Sequence, residues 1–180
     1  MRELSLHILD IVQNSVKAEA SVIEIDVNIH DGYINITIKD NGKGMDKELL
    51  NSVTNPFTTS RKTRKVGLGI PLIKMAAEKA GGSFKITSEK GVGTVVYSSF
   101  QIDHIDRMPL GDISETIVTL LDDKTDFVWK VRLNEKEFVF DTREVKNQLN
   151  PIPIDSVEVL VYLKSYIKEN IESIIGGIIL

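Results

Sequence analysis

The stretch "YINITIKDNGKGM", residues 33–45, decides the fold. Its first seven residues alternate apolar and polar, the period of a half-buried strand. Asp40 closes the run, and Asn41-Gly42-Lys43-Gly44-Met45 follows. By itself "DNGKGM" reads equally as turn chemistry after a strand and as a backbone opened to admit a ligand. The neighbouring sequence has to decide. Immediately upstream, "VIEIDVNI" (22–29) alternates in the same way, and Asp31-Gly32 between the two runs is a tight hairpin signal. Further upstream, residues 2–18 have helical spacing: Leu9, Val12 and Val16, widened by Leu4, Ile8 and Ile11. A polar stripe of His7, Asp10, Asn14 and Lys17 runs opposite, which predicts a surface or supporting position for His7.

Downstream, residues 46–53 predict a short helix with Asp46 near its N-cap. Residues 55–67 read as a loop, with Pro56, hydroxyl side chains and the basic Arg61, Lys62, Arg64 and Lys65. Residues 70–80 predict a helix with Pro71 in its first turn and Gly81-Gly82 at its end. Two more strands, "SFKITSE" and "TVVYSSF", flank "KGVG". Eight of the twelve glycines fall between positions 42 and 93, a clustering that points to a site. After Phe100 the texture changes to a link and helix (104–123), a hairpin ("FVWKVRL" to "FVFDT") and a long helix at 156–175. A boundary near residue 101 is expected, with units at 1–100 and 101–180.

The 180 residues carry a net charge of −4, which gives no footprint for a nucleic-acid partner. No apolar run is long enough to span a bilayer, so no membrane partner is expected. There is no cysteine, which removes disulfides, thiolate catalysis and cysteine-ligated metals, and is compatible with the cytoplasm, the expected location.

Four features recur in order, each with a physical use. Asn14 offers a carbonyl oxygen suited to Mg²⁺, a hard cation that takes few protein ligands. Asp10, one helical turn away, would orient or deprotonate a nucleophile, and Lys17 would meet phosphate as a point charge. Asp40 at a strand end would accept a hydrogen bond from an exocyclic amine such as that of adenine. Gly42 and Gly44 remove Cβ atoms where a flat base must approach. Gly67 and Gly69 open a helix whose free N–H groups suit phosphates.

"HILDIVQNSVKA", "DNGKGM", "KVGLGIPL" and "GVGT" resemble the asparagine box and the three glycine boxes of the GHKL superfamily, the gyrase, Hsp90, histidine-kinase and MutL type ATP-binding domains. The resemblance covers roughly residues 3–100. It implies an α+β fold, a two-layer sandwich of the Bergerat ATP-binding type, followed here by a small C-terminal α+β domain. It implies ATP and Mg²⁺ as cofactors, with Asn14 as the metal ligand. Asp40 would bind the adenine amine with Thr94 nearby, Gly42, Gly44 and Met45 would shape the base pocket, and Gly67, Leu68 and Gly69 would cradle phosphates. Lys17 matches a phosphate-contacting position of the histidine-kinase branch. The lid resembles that of the anti-sigma-factor serine kinases, where a Phe-Thr-Thr stretch (here Phe57-Thr58-Thr59) precedes the glycines and an arginine stands where this chain has Lys65. Thr58, Thr59 and Lys65 would thus join the ATP site. The glutamate of the hydrolytic and serine-kinase branches is replaced by Asp10, shorter by one methylene. The function implied is a protein kinase or phosphotransferase acting by itself on a protein partner, exchanging ATP for ADP. The rivals are a conformational ATPase that dimerises on lid closure and a non-catalytic nucleotide sensor.

Overall fold

The computed structural model describes residues 3–54 and 68–176. In chain order they form α1 (Leu4–Lys17), β1 (Val22–His30), β2 (Tyr33–Asp40), α2 (Lys47–Val53), α3 (Gly69–Lys79), β3 (Phe84–Glu89), β4 (Gly93–Gln101), α4 (Ile113–Leu120), β5 (Asp126–Leu133), β6 (Lys136–Asp141), α5 (Thr142–Leu149) and α6 (Val157–Ile175). The strands build one sheet in the order β3-β4-β2-β1-β5-β6. Every neighbouring pair is antiparallel except β1 and β5, which run parallel. The α+β fold expected from the sequence is the one observed.

The strand register explains where the core sits. Ile86, Val96, Ile38, Ile25, Trp129 and Phe140 stand opposite one another in a single line across all six strands. The next line holds Phe84, Ser98, Ile36, Val27, Val131 and Phe138. Side chains alternate across a strand, so both lines face the same way. Their buried members join one cluster with the apolar sides of α1, α3, α4 and α6. The opposite parity is polar and paired across strands: Lys39 Nζ lies 3.2 Å from Glu24, and Arg132 Nε donates to Asp26 at 3.0 Å.

Residues 101–180, read from the sequence as a small domain of their own, extend the same sheet. Val22 to Ile29 of β1 pair with Asp126 to Leu133 of β5. The segment before α4 also completes α1, because Leu4 N–H donates to Pro109 O at 2.9 Å and Ser5 N–H to Leu110 O at 2.8 Å. Two of the helix's unpaired first amides are thereby satisfied. Strands a hundred residues apart leave no local signal of their pairing, which is why the sequence suggested a break. Helix α5 was also unforeseen; Asp141 caps it through Arg143 N–H at 2.9 Å. None of the described helices is long and apolar enough to cross a membrane.

Truncation after residue 104 is expected to abolish cooperative folding. It removes the partner of β1 and the buried Phe127, Trp129, Phe138 and Phe140. At about 1.5–3 kcal/mol for each large apolar side chain, that loss rivals a whole domain's stability of about 5–15 kcal/mol. Thermal melting by circular dichroism decides it: a truncated chain that melts at the full-length temperature contradicts the claim.

Candidate functional site

A cavity of about 470 Å³ opens between α1, the loop after β2 and the start of α3. That is the size of a small-molecule site, typically about 300–1,000 Å³. Asn14, Lys17, Asp40, Gly44, Met45 and Thr94, all expected from the sequence, line it together, over the apolar side chains of Ile11 and Ile70.

Asp40 is placed by parity. Ile34, Ile36 and Ile38 face the core, so residue 40 must face it too. A carboxylate therefore sits on the buried side, 9% exposed, in line with Thr94 on β4 and Ile23 on β1. Its two oxygens are held separately. Oδ1 accepts from Gly42 N–H at 2.9 Å, and Oδ2 accepts from the Ser15 hydroxyl at 2.7 Å. Ser15 was not singled out from the sequence, although it follows Asn14 directly. It ties the helix of the asparagine box to the strand of the first glycine box. A carboxylate oxygen accepts more than one hydrogen bond, so both oxygens retain acceptor capacity toward the cavity.

The glycines also have a packing role beyond the room for a base expected of them. A Cβ on Gly42 would lie 2.8 Å from Ala18 O, and one on Gly44 1.9 Å from Glu89 O. Both let the loop after β2 press against other backbone: the end of α1 in one case, the β3–β4 hairpin in the other. Gly44 also has φ +60°, a conformation that favours glycine. Ser88 seals this junction, accepting from Met45 N–H at 2.9 Å and lying 2.8 Å from Thr94 Oγ1. Asn41 closes the other side, accepting from Ser21 and Val22 N–H at 2.9 Å each. Neither role had a sequence signal beyond the "DNG" turn itself.

Gly69 begins α3, and a Cβ there would lie 1.8 Å from Asp10 Oδ2. The Asp10 carboxylate thus rests against the first residue of a helix whose N-cap, Leu68, supplies no side-chain bond and is 71% exposed. Anions are favoured at such an end by its free N–H groups and by the helix dipole. Asn14 lies beside the same glycine, its Nδ2 at 3.6 Å from the Cβ position. That Nδ2 is buried and has no hydrogen-bond partner among the described residues. Thr58, Thr59, Lys65 and Gly67 lie outside the described residues.

Of the two positions expected for His7, surface or supporting, the surface one is corrected: the residue is 3% exposed. Both ring nitrogens are buried without a hydrogen-bond partner among the described residues. Each such orphan costs about 1–3 kcal/mol. Burial pushes the imidazole below its usual pKa, against the opposing pull of the Asp10 charge. The burial is tertiary in origin: α1 packs against α3 and α4, contacts that the helical spacing of the stripe does not contain.

The fold and the cavity define a two-layer sandwich of helices on a mixed sheet, with a ligand-sized site at the end of β2. The chain belongs to the histidine kinase-, DNA gyrase B- and HSP90-like ATPase family, whose model matches residues 2–104. The family name itself identifies ATP as the nucleotide. Among curated proteins the chain is similar to sporulation kinase C of Bacillus subtilis, 33% identical over 89 residues, covering 48% of this chain and 21% of that protein. It is similar also to the histidine protein kinase DivJ of Caulobacter vibrioides, 31% identical over 101 residues, 53% of this chain and 17% of that one. The chain spans about a fifth of the length of the curated relatives it matches. Among solved structures, the N-terminal domain of a DNA repair protein superposes with a TM-score of 0.52 at 16% identity, covering 77% of this chain and 52% of that one. That likeness is one of fold.

Two substitutions test the geometry. Ser15→Ala frees one Asp40 oxygen and is expected to weaken binding of an ATP analogue about tenfold, the equivalent of about 1.4 kcal/mol, by isothermal titration calorimetry. Gly69→Ala should favour the helix by about 1 kcal/mol on propensity yet push Asp10 aside. A melting temperature that does not fall, together with lost nucleotide turnover, is the expected pair; unchanged turnover would show that the Asp10–Gly69 contact is incidental.

Proposed function

We propose that the protein binds Mg-ATP in the cavity between α1 and α3 and transfers the γ-phosphate to a side chain of a protein partner. The observation that carries this reading is the Asp10 carboxylate resting against Gly69 at the head of α3. Though shorter by a methylene than a glutamate, it would lie within reach of a phosphate chain bound at that helix end. Asp40, fixed by Ser15 and Gly42, would take the adenine amine at the other end of the cavity.

The residues present fit a magnesium ion. Asn14 lines the cavity beside the head of α3, and part of its amide has no partner among the described residues. Its Oδ1 would be the protein ligand, with the rest of the shell left to phosphates and water. Bound there, the ion would supply charge neutralisation on the phosphate oxygens. Lys17, exposed at the cavity rim, would add a point charge. Asp10 would take the proton from the acceptor hydroxyl as its oxygen attacks the γ-phosphorus. The bond from that phosphorus to the bridging oxygen breaks, and ADP leaves with the electron pair. Consumption of ATP fits a cytoplasmic setting, and the net charge of −4 fits a protein partner better than a nucleic acid.

Incubation of the protein and a cell extract with γ-labelled ATP tests the reading. Label is expected on a partner protein, lost in Asp10→Asn and Asn14→Ala. Asp10→Asn should retain analogue binding while transfer falls by about a hundredfold or more. Release of phosphate without labelled protein would indicate a conformational ATPase instead. Binding with no turnover would indicate a nucleotide sensor.

A further inference from the structure

A second cavity, of about 490 Å³, lies at the β6 edge of the sheet, between β6, α5 and α6. It shares no lining residue with the cavity at the head of α3. Strand β6 stands three places from β2 in the sheet, about 15 Å away at the usual strand spacing of about 4.8 Å. All of its lining residues lie beyond the family match at residues 2–104.

The floor of this groove is apolar, with Phe140 and Leu163 buried beneath it. Its walls are mixed. On α6, Glu158, Tyr162 and Tyr166 follow at steps of four and form one row along the helix. The two tyrosine rings stack, with centroids 6.4 Å apart and planes 11° from parallel. They are 68% and 44% exposed. On α5, Glu144 and Gln148 line the groove at the same spacing. Three carboxylates line it, and no lysine, arginine or histidine does. Asp141 is committed to Arg143. Glu144 and Glu158 form no ion pair among the described residues.

This combination selects the occupant. Carboxylates repel phosphate, which turns away nucleotides, nucleic acids and anionic lipid. They attract an ammonium or guanidinium, and a tyrosine face takes the same cation within about 6 Å of the ring. The apolar floor suits the methylene stem that carries the cation, or an aliphatic neighbour.

We propose that the groove between α5 and α6 docks a segment of the protein partner in which arginine or lysine stands beside aliphatic residues. The inference rests on the reading that the chain acts on a protein partner. The docked segment is not the phosphoacceptor, because the groove lies apart from the cavity that holds Asp40 and Asn14. It keeps the partner on the chain while another part of that partner reaches Asp10, which raises the effective concentration of the acceptor.

Amide shift mapping of the full nitrogen-15-labelled chain tests this, with a hexapeptide alternating leucine and arginine as the probe. Saturable shifts are expected at Glu144, Gln148, Glu158, Tyr162 and Tyr166, and none there with the leucine–glutamate counterpart. The double variant Glu144→Lys, Glu158→Lys and the single variant Tyr162→Ala should each weaken the basic peptide about tenfold or more. Both should bind an ATP analogue as wild type does. All three side chains are exposed, so unchanged melting temperatures are expected. No shifts at these residues at millimolar peptide, or equal shifts with the acidic counterpart, overturn the proposal. So does a dimer in sedimentation that Tyr162→Ala breaks, because a second copy then covers the groove. Transfer of label from γ-labelled ATP in a cell extract separates this inference from the reading beneath it. Partner protein labelled equally well by wild type and by the charge-reversed variant overturns the docking site alone. Basic peptide bound in the groove with no label on any protein supports the docking site and overturns the transfer reading.

Discussion

The parity of β2 is the constraint on which the site depends. Three isoleucines on one side of the strand must meet the core, and Ile23, Ile25, Val27 and Ile29 of β1 must face them in register. A slip of one residue would turn every one of these side chains toward water. The same register carries Asp40 to the buried side at the end of the strand, beside Thr94 and under α1. The carboxylate tolerates that placement because Ser15 and Gly42 each hold one oxygen. The site is thus the polar end of an otherwise apolar row, and the forces that build the sheet also aim the recognition group.

The C-terminal stretch serves the same constraint from the other edge. Without β5, strand β1 would present an unpaired ladder, and its inward isoleucines would lose Phe127, Trp129 and Val131 as neighbours. The parallel pairing of β1 with β5 fixes β1, and β1 fixes β2. The loop at Pro109 and Leu110 holds the first turn of α1, and α4 packs along that helix. Residues beyond the family match therefore support the helix that carries Asp10 and Asn14, although none of the described ones lines the cavity.

Much of the site was legible in the sequence because its signals are local. Alternation marks β1 and β2, Asp31-Gly32 marks their turn, and the helical spacing of Asp10, Asn14 and Lys17 puts them on one side of α1. What was not legible is what depends on distant contacts. Ser15 has a role only because α1 crosses β2. Gly42 and Gly44 carry no local sign that the backbone of Ala18 and Glu89 lies against them. His7 reads as part of a polar stripe, and its burial depends on tertiary packing that no helical wheel contains. The β1–β5 pairing spans about a hundred residues of chain and has no local trace.

The central claim, that nucleotide is held between Asp40 and the head of α3, is tested most directly by amide shift mapping of the nitrogen-15-labelled protein during titration with Mg-ATP. The account predicts saturable shifts concentrated at Ser15, Asp40, Gly42, Gly44, Met45, Gly69 and Thr94, with GTP producing weaker ones because it lacks the exocyclic amine at the same position. Shifts gathered instead along β6, α5 and α6, or none at these residues at millimolar nucleotide, would contradict it.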